Sequence, residues 1–262
     1  MKDKHTFAVC AYKESEYLER CIKSLLAQKV KSNIIVCTST PCDYIENMAK
    51  KYELPLYVRQ GTSDIREDWN FAYNQAETDY VTIAHQDDEY NKDYLTYFKG
   101  LEKKYQDDFL MYYSGYKPLK NGEITTDINC KIRRLLRQPM RVPAFSKVGW
   151  IKKLTLSMGN SICCPSVTYN KKVLGDSFFT SDMKFNIDWD TFLKLAKMKG
   201  RFLYIDKPLT YYRVHDGATS KEFIDNNGRI VEDTMMFEKF WPKCIAKLIM
   251  KFYKKAYDTY SK

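Results

Sequence analysis

Long apolar runs are missing from this chain of 262 residues. A transmembrane helix needs about eighteen or more apolar residues in succession, and no such run occurs. The charged N-terminus leads directly into a β-type segment, so we expect neither a membrane span nor a signal peptide. The eight cysteines lack zinc-type spacing, and free thiols in a reducing compartment explain them. The sequence therefore predicts a cytoplasmic protein.

Acidic residues are outnumbered by basic ones, which leaves a net charge of +10. This excess predicts an anionic partner, such as a nucleotide or a lipid headgroup. The basic residues are dispersed and no nucleic-acid-binding motif is present, so nucleic acid is not expected as the partner. A hydrophobic content of 44%, with 15% aromatics, indicates a folded globular chain rather than a disordered one.

The chain is organised around residues 80–90, where an apolar, β-branched run changes abruptly into an acidic loop at His85. In open α/β sheets, ligands bind outside the carboxyl ends of strands. The adjacent carboxylates of Asp87 and Asp88 repel one another unless a cation lies between them. Oxygen ligands of this kind suit Mn²⁺ or Mg²⁺ bound together with a diphosphate. The competing interpretation is an acidic turn that caps a helix starting near Asn91.

Strands and helices alternate four times up to this loop, which is typical of a parallel sheet covered on both faces. The predicted strands comprise residues 6–11, 33–38, 54–59 and 80–84, and the helices between them residues 17–26, 43–52 and 66–76. A further helix and strand reach residue 116, after which the pattern weakens over residues 117–157. The later predictions are a helix over 191–198 and two paired strands, 202–205 and 209–214, broken at Pro208.

The C-terminal segment 241–262 predicts a basic amphipathic helix. Its apolar stripe consists of Ile245, Leu248, Ile249, Phe252 and Ala256, and five lysines occupy much of the other face. A helix of this type would bind an anionic membrane surface. The alternative is that the stripe only packs on the rest of the protein.

Several segments together resemble the inverting family 2 glycosyltransferases. The resemblance lies in residues 12–28, in Asp68-Trp69-Asn70 before the central strand and acidic loop, in Asp188-Trp189-Asp190 before a helix, and in residues 212–215 after a strand. It implies an α/β, GT-A (Rossmann-like) fold, with a mostly parallel sheet flanked by helices and a C-terminal helical extension. The implied GT-A domain is 1–221, divided into a nucleotide-sugar half (1–116) and an acceptor half (117–221), with the helical extension at 222–262.

The chain departs from the family pattern at four positions. His85 replaces the first acid of the DxD-type motif, Thr38 replaces the usual acid after the second strand, Lys13 replaces a common Asn, and Ile187 replaces a common Glu. The first three changes lie where the nucleotide is bound. They therefore leave the nucleotide open, and a UDP-sugar is the donor we expect first.

The resemblance implies roles for specific residues. The metal site, for Mn²⁺ or Mg²⁺, would consist of Asp87, Asp88 and His215. The donor nucleotide-sugar would be bound by Ala11, Tyr12, Glu14, Thr38, Asp64, Arg66, His85, Gln86 and Arg213. Simpler explanations exist for several of them, since Tyr12 is equally suited to the core and Arg66 to a surface ion pair.

Inverting transfer also needs a base for the acceptor hydroxyl. Asp188 matches the family's catalytic acid position, and Asp190 is the second candidate. Either aspartate is also suited to capping a helix that starts at Thr191.

These observations together predict a metal-dependent transferase acting on a glycan or lipid-linked acceptor in bacterial surface polysaccharide synthesis, at the inner face of the membrane. An inactive nucleotide-sugar binding module is the first alternative. A sugar nucleotidyltransferase is disfavoured because the turn at residues 12–15 contains no glycine.

Overall fold

The computed structural model describes residues 4–215, 217, 228–255 and 257. Within these residues, nine strands form one mixed sheet in the order β3-β2-β1-β4-β8-β6-β9-β5, and β7 pairs with β6. The strands are β1 (His5–Ala11), β2 (Asn33–Thr38), β3 (Leu56–Val58), β4 (Tyr80–His85), β5 (Glu89–Tyr90), β6 (Phe109–Lys120), β7 (Glu123–Ile124), β8 (Val167–Asn170) and β9 (Arg201–Val214). The first four pair in parallel, as predicted.

Helices cover both faces of this sheet. They are α1 (Leu18–Leu26), α2 (Asp43–Lys51), α3 (Ile65–Gln75), α4 (Tyr94–Tyr105), α5 (Ile128–Arg137), α6 (Gly149–Leu154), α7 (Lys171–Leu174), α8 (Ile187–Lys197), α9 (Gly228–Glu238) and α10 (Lys243–Tyr253). Helices α1, α2 and α4 share one apolar cluster with the sheet, and α3, α6, α8, α9 and α10 share the other. None of the described helices has the length and apolar character needed to cross a bilayer.

The apolar periodicity of α1 shows how the sequence specifies this layering. Leu18, Cys21, Ile22 and Leu25 recur at steps of three and four residues, so they lie on one face of the helix, and all four are buried against the sheet. Strands β1 and β4 are buried on both sides, which explains why they are apolar throughout rather than alternating.

Strand β9 corrects one prediction. Residues 202–205 and 209–214 do not form two strands paired with each other. They belong to a single strand that runs parallel to β6, with register shifts near Gly115 opposite Pro208. A Cβ on Gly115 would lie 2.9 Å from the carbonyl oxygen of Lys207, so the irregularity requires a residue without a side chain there.

Two predicted helix starts were also wrong. Strand β5 lies between the acidic loop and α4, and α4 begins at Tyr94, so the acids do not cap a helix at Asn91. Helix α8 begins at Ile187 rather than Thr191, which places Asp188 in its first turn instead of at a cap.

The C-terminal helices pack on the sheet domain. In α10, Ala246 and Met250 are buried in the same cluster as α8, while Ile245, Leu248 and Phe252 are exposed. The face that packs is thus rotated from the predicted stripe. Residue 256, the division between residues 221 and 222, and the chain beyond residue 257 lie outside the described residues.

Candidate active site

The carboxyl ends of β1, β2 and β4 meet at one edge of the sheet. Cys10 pairs with His85, and Ala11 pairs with Thr38. A cleft of about 680 Å³ opens over this edge. The predicted site residues that line it are Ala11, Tyr12, Thr38, Asp64, His85, Gln86, Asp87, Asp188 and His215. Residues from both halves of the chain therefore meet in one cleft.

Asp87 is held by groups from the end of β9. His215 Nε2 and Asp87 Oδ2 share a hydrogen bond of 3.1 Å, and the imidazole packs edge-on against Tyr17. Arg213 donates to the Asp87 carbonyl at 2.8 Å, forms an ion pair with Glu89 and lies over the Tyr17 ring. Burial opposes ionisation of Asp87, but the hydrogen bond from His215 outweighs it, so the pKa is lowered. Asp87 is therefore an ionised carboxylate facing the cleft, and Arg213 lies behind the acidic loop.

Asp88 has different surroundings from its neighbour. It is fully buried, and its Oδ1 accepts a 2.8 Å hydrogen bond from the Arg213 backbone N–H. Its Oδ2 lies 3.8 Å from Nδ1 of His85, whose ring stacks on Trp69 at 5.4 Å. Burial raises the pKa of Asp88, with the charge of Asp87 adding to it, and burial lowers the pKa of His85.

The residues of this loop fit a divalent cation. Ligand atoms of His85, Asp87 and Asp88 lie within 4.8 Å of one another. His85 Nε2 and Asp88 Oδ2 are buried and have no hydrogen-bond partner among the described residues. Buried polar atoms are normally paired, so two such atoms beside an ionised carboxylate suggest a missing cationic ligand.

Asp188 is the strongest candidate for a base in the cleft. Its Oδ2 accepts a 2.7 Å hydrogen bond from the Asn160 amide, and its Oδ1 accepts one of 2.7 Å from the backbone N–H of Trp189. Burial raises the pKa of Asp188 to about 6 even though these bonds favour the charged form. A carboxylate with a pKa near neutrality is suited to proton transfer.

Asp190 has the opposite environment. It does not line the cleft, and its carboxylate pairs with Lys239 at 2.6 Å and Lys194 at 3.0 Å. Burial opposes its ionisation, but the two lysines outweigh burial and lower its pKa. The geometry thus favours Asp188 over Asp190 as the base, and gives Asp190 a role in joining α8 to the chain after α9.

At the nucleotide end of the cleft, the protein holds Gln86 on the main chain of Tyr12. The Gln86 amide donates to the Tyr12 carbonyl and accepts from its N–H, each at 2.9 Å. Thr38 is buried and its hydroxyl accepts from the N–H of Thr40, whose own hydroxyl accepts from the N–H of Lys13. The Tyr12 ring is exposed and so available for stacking. Gln86 therefore positions the loop that carries Tyr12.

The remaining predicted donor residues lie at the rim. Asp64 caps α3 by accepting from the N–H groups of Arg66 and Glu67 at 3.1 and 3.2 Å. The Arg66 side chain turns to the Ser181 carbonyl at 3.1 Å and to Glu67, and it does not line the cleft. Glu14 lines a separate, neighbouring hollow.

Two residues of the cleft escaped the sequence predictions. Asn160, which holds Asp188, lies in an irregular segment without a recognisable pattern. Asp68 was noted only as part of the motif around Trp69. Its carboxylate pairs with Arg59 at 2.7 Å and accepts from Ser39 and Ser63, so it ties α3 to the ends of β2 and β3. Its place four residues after Asp64, on one helix face, was the available signal.

The sequence model described as Glycosyl transferase family 2 matches residues 6–143, just over half of the chain. The chain belongs to glycosyl transferase family 2. No curated protein matches its sequence significantly. The family match confirms the predicted resemblance and the prediction of a glycosyltransferase enzyme.

Solved glycosyltransferase structures share the fold. TarS 1–349 of S. aureus superposes with a TM-score of 0.60 at 19% identity, covering 98% of this chain and 72% of that one. The same protein in complex with UDP-GlcNAc gives 0.61 at 16%, covering 98% and 73%. The mannosyltransferase PcManGT of Pyrobaculum calidifontis, in complex with GDP-Man and Mn²⁺, gives 0.61 at 15%, covering 94% and 69%. This family 2 glycosyltransferase therefore has the GT-A fold predicted from its sequence.

Proposed function

We propose that this glycosyltransferase moves a sugar, with inversion, from a nucleotide-diphosphate sugar to a hydroxyl of a glycan or lipid-linked acceptor. The observation that carries the proposal is that Asp188, with its raised pKa, lines the same cleft as the His85, Asp87 and Asp88 group. The family membership and the nucleotide-sugars bound by TarS and PcManGT support a donor of this class.

In this proposal Asp188 takes the proton of the acceptor hydroxyl as that oxygen attacks the anomeric carbon. The bond from the anomeric carbon to the diphosphate oxygen breaks on the opposite side, which inverts the configuration. The Asn160 amide holds the carboxylate of Asp188 towards the cleft, so it is a positioning residue. The half of the cleft formed by β1–β4 binds the donor, and the half formed after residue 117 binds the acceptor.

Asp87 and His215 hold the diphosphate end, with His85 and Asp88 beside them. A divalent cation bound here would act as a Lewis acid that neutralises charge on the departing diphosphate. Mn²⁺ is the cation bound by PcManGT, and UDP-sugars are the donors we propose first. The exposed ring of Tyr12 and the main chain at Ala11 would contact the base.

A thermal-shift screen of nucleoside diphosphates, with and without Mn²⁺, tests this assignment. A ligand at a hundredfold excess over its dissociation constant stabilises a protein by about 2.7 kcal/mol. We expect a rise in melting temperature with UDP that depends on Mn²⁺. Binding without any hydrolysis or transfer of a UDP-sugar would instead indicate an inactive binding module.

The pH profile is expected to report Asp188. The base is active when ionised, so kcat/KM should fall about tenfold per pH unit below about pH 6. The Asn160 amide stabilises the charged form, so Asn160→Ala should raise the pKa and move this acid limb upward by about one unit. The control Asn74→Ala removes only a surface bond to Ser177 and should leave the limb in place. An acid limb that Asn160→Ala does not move would separate the limb from Asp188.

We further propose that the enzyme works at the cytoplasmic face of a bacterial membrane, on surface polysaccharide, and that the α10 segment of 241–262 touches the bilayer. Leu248 and Phe252 are exposed on α10, beside Lys247 and Lys251. Leu248→Gln combined with Phe252→Gln should weaken co-sedimentation with phosphatidylglycerol vesicles about tenfold. Met235→Gln, an exposed site on α9, serves as the control. Equal sedimentation of all three proteins would remove α10 as a contact.

A further inference from the structure

Helix α5 carries its apolar stripe on the side away from the protein. Ile128, Ile132 and Leu135 recur at steps of four and three residues, so they lie along one face of the helix. They are 67%, 49% and 70% exposed, whereas Arg137 on the opposite face is 1% exposed. A helix that only packs on a globular core shows the reverse arrangement.

The contacts of the inner face fix this orientation. The Arg137 guanidinium lies over the rings of Tyr116 and Tyr204, at 5.2 and 5.5 Å, and donates to the Ser161 carbonyl. At the other end of α5, Asp127 caps the helix by accepting from the backbone N–H of Cys130 at 2.7 Å. The outward direction of the apolar stripe is therefore set from beneath the helix.

The charges beside the stripe point to an anionic partner. The sequence of α5 contains four basic residues and no acid. Lys131 is exposed and lies three residues after Ile128 and four before Leu135, so it borders the stripe. Arg134 is also exposed and makes two 2.8 Å hydrogen bonds to Asp206. We propose that α5 docks on an anionic phospholipid bilayer, with its aliphatic stripe in the interfacial layer and Lys131 at the headgroups.

The position of α5 connects this docking to catalysis. Arg133 lies between the stripe and the buried face, lines the cleft that contains Asp188, and donates to the Tyr116 hydroxyl at 3.0 Å. One side of α5 thus forms part of the acceptor end of the cleft, while the next side faces outward with the stripe. This inference rests on the proposed function, because docking here brings that end of the cleft to a lipid-linked acceptor.

A second copy of the chain fits the stripe poorly. In a two-fold dimer the same patch meets itself, so Lys131 and Arg134 would face their own counterparts. A stable interface buries about 800 Å² on each partner, which three side chains on a ten-residue helix do not supply alone. A bilayer needs only a shallow apolar insertion and negative headgroups.

Co-sedimentation of the full chain with phosphatidylcholine vesicles, with and without phosphatidylglycerol, tests the proposal. We expect binding only to the anionic vesicles. The triple variant Ile128→Gln, Ile132→Gln and Leu135→Gln should bind at least about tenfold more weakly. Lys131→Gln should weaken binding about fivefold, the effect of one lysine at an anionic surface. Val231→Gln, another exposed apolar site, should bind like the wild type.

UDP-dependent stabilisation and hydrolysis of a UDP-sugar in solution are measured on the same proteins. They should be unchanged in the α5 variants, because the substituted side chains face away from the cleft. Unchanged vesicle binding in the triple variant, or binding lost only in the α10 variant, would overturn the inference. A wild-type dimer in sedimentation velocity that Leu135→Gln dissociates would assign the stripe to a second copy instead. Vesicle binding that needs α5, in a chain that does not bind or hydrolyse any nucleotide-sugar, would remove the proposed function and leave the docking surface.

Discussion

Asp188→Asn is expected to lower the transfer rate about a thousandfold while nucleotide binding is retained. A positioned general base contributes about 10²- to 10⁴-fold, and asparagine preserves the shape of the side chain without its basicity. Asp188 Oδ2 accepts from Asn160 and Oδ1 from the N–H of Trp189, and the asparagine oxygen keeps one acceptor. Steady-state transfer and UDP titration on the same preparation would separate the two effects.

The stability of this variant provides a second measurement. The folded-state pKa of Asp188 is raised, to about 6, so its ionised form opposes folding. The destabilisation begins as pH rises above the ordinary carboxyl pKa and is complete above about pH 6. Asp188→Asn should therefore melt at or above the wild-type temperature at neutral pH. An inactive variant that melted lower would point to a structural role.

Asp190→Asn is the matched control. It removes a carboxylate two residues away in the same turn of α8, but one that pairs with Lys239 and Lys194 outside the cleft. It should melt at a lower temperature and retain most of its transfer activity. If the two variants exchanged these phenotypes, the base would be Asp190.

Asp87→Asn is expected to lose the Mn²⁺-dependent part of UDP stabilisation and at least about a hundredfold in transfer. Even residues that only support a metal ligand change affinity or activity about 10- to 100-fold, and Asp87 would be a ligand itself. The readouts are melting temperature with UDP, with and without Mn²⁺, and the transfer rate.

Asp93→Asn serves as control for Asp87→Asn. Asp93 pairs with Lys29 at the start of α4, so this variant removes the same charge from a nearby surface. It should respond to Mn²⁺ like the wild type. A full Mn²⁺ response in Asp87→Asn would show that the cation, if any, binds elsewhere.

The β-α alternation and the acidic loop were readable from sequence because both depend on local patterns. The apolar run of β4 and the polar switch at His85 predicted a loop at the sheet edge, and the structure has one. The mixed part of the sheet was not readable. Strand β9 continues past Pro208 because Gly115 on β6 allows a close approach, and that contact joins residues distant in sequence.

The site was predicted by residue identity more than by contact. Asp87 and His215 were both named, and their separation in sequence is bridged only by the pairing of β5 with β9. Local patterns do not show which oxygen of a buried aspartate accepts which hydrogen bond. The contact between Asn160 and Asp188 and the tie from Arg213 to Asp88 were therefore missed.

The tie from Arg213 to the acidic loop has a consequence for truncated forms of the enzyme. The segment that matches the family, residues 6–143, contains His85, Asp87 and Asp88 but not β8 or β9. A fragment cut to that segment would leave Asp88 Oδ1 without its backbone donor and Asp87 without His215. Recognition of the family from its N-terminal half and possession of a working cation site are thus separable. Domain swaps designed at residue 143 would inherit the first without the second.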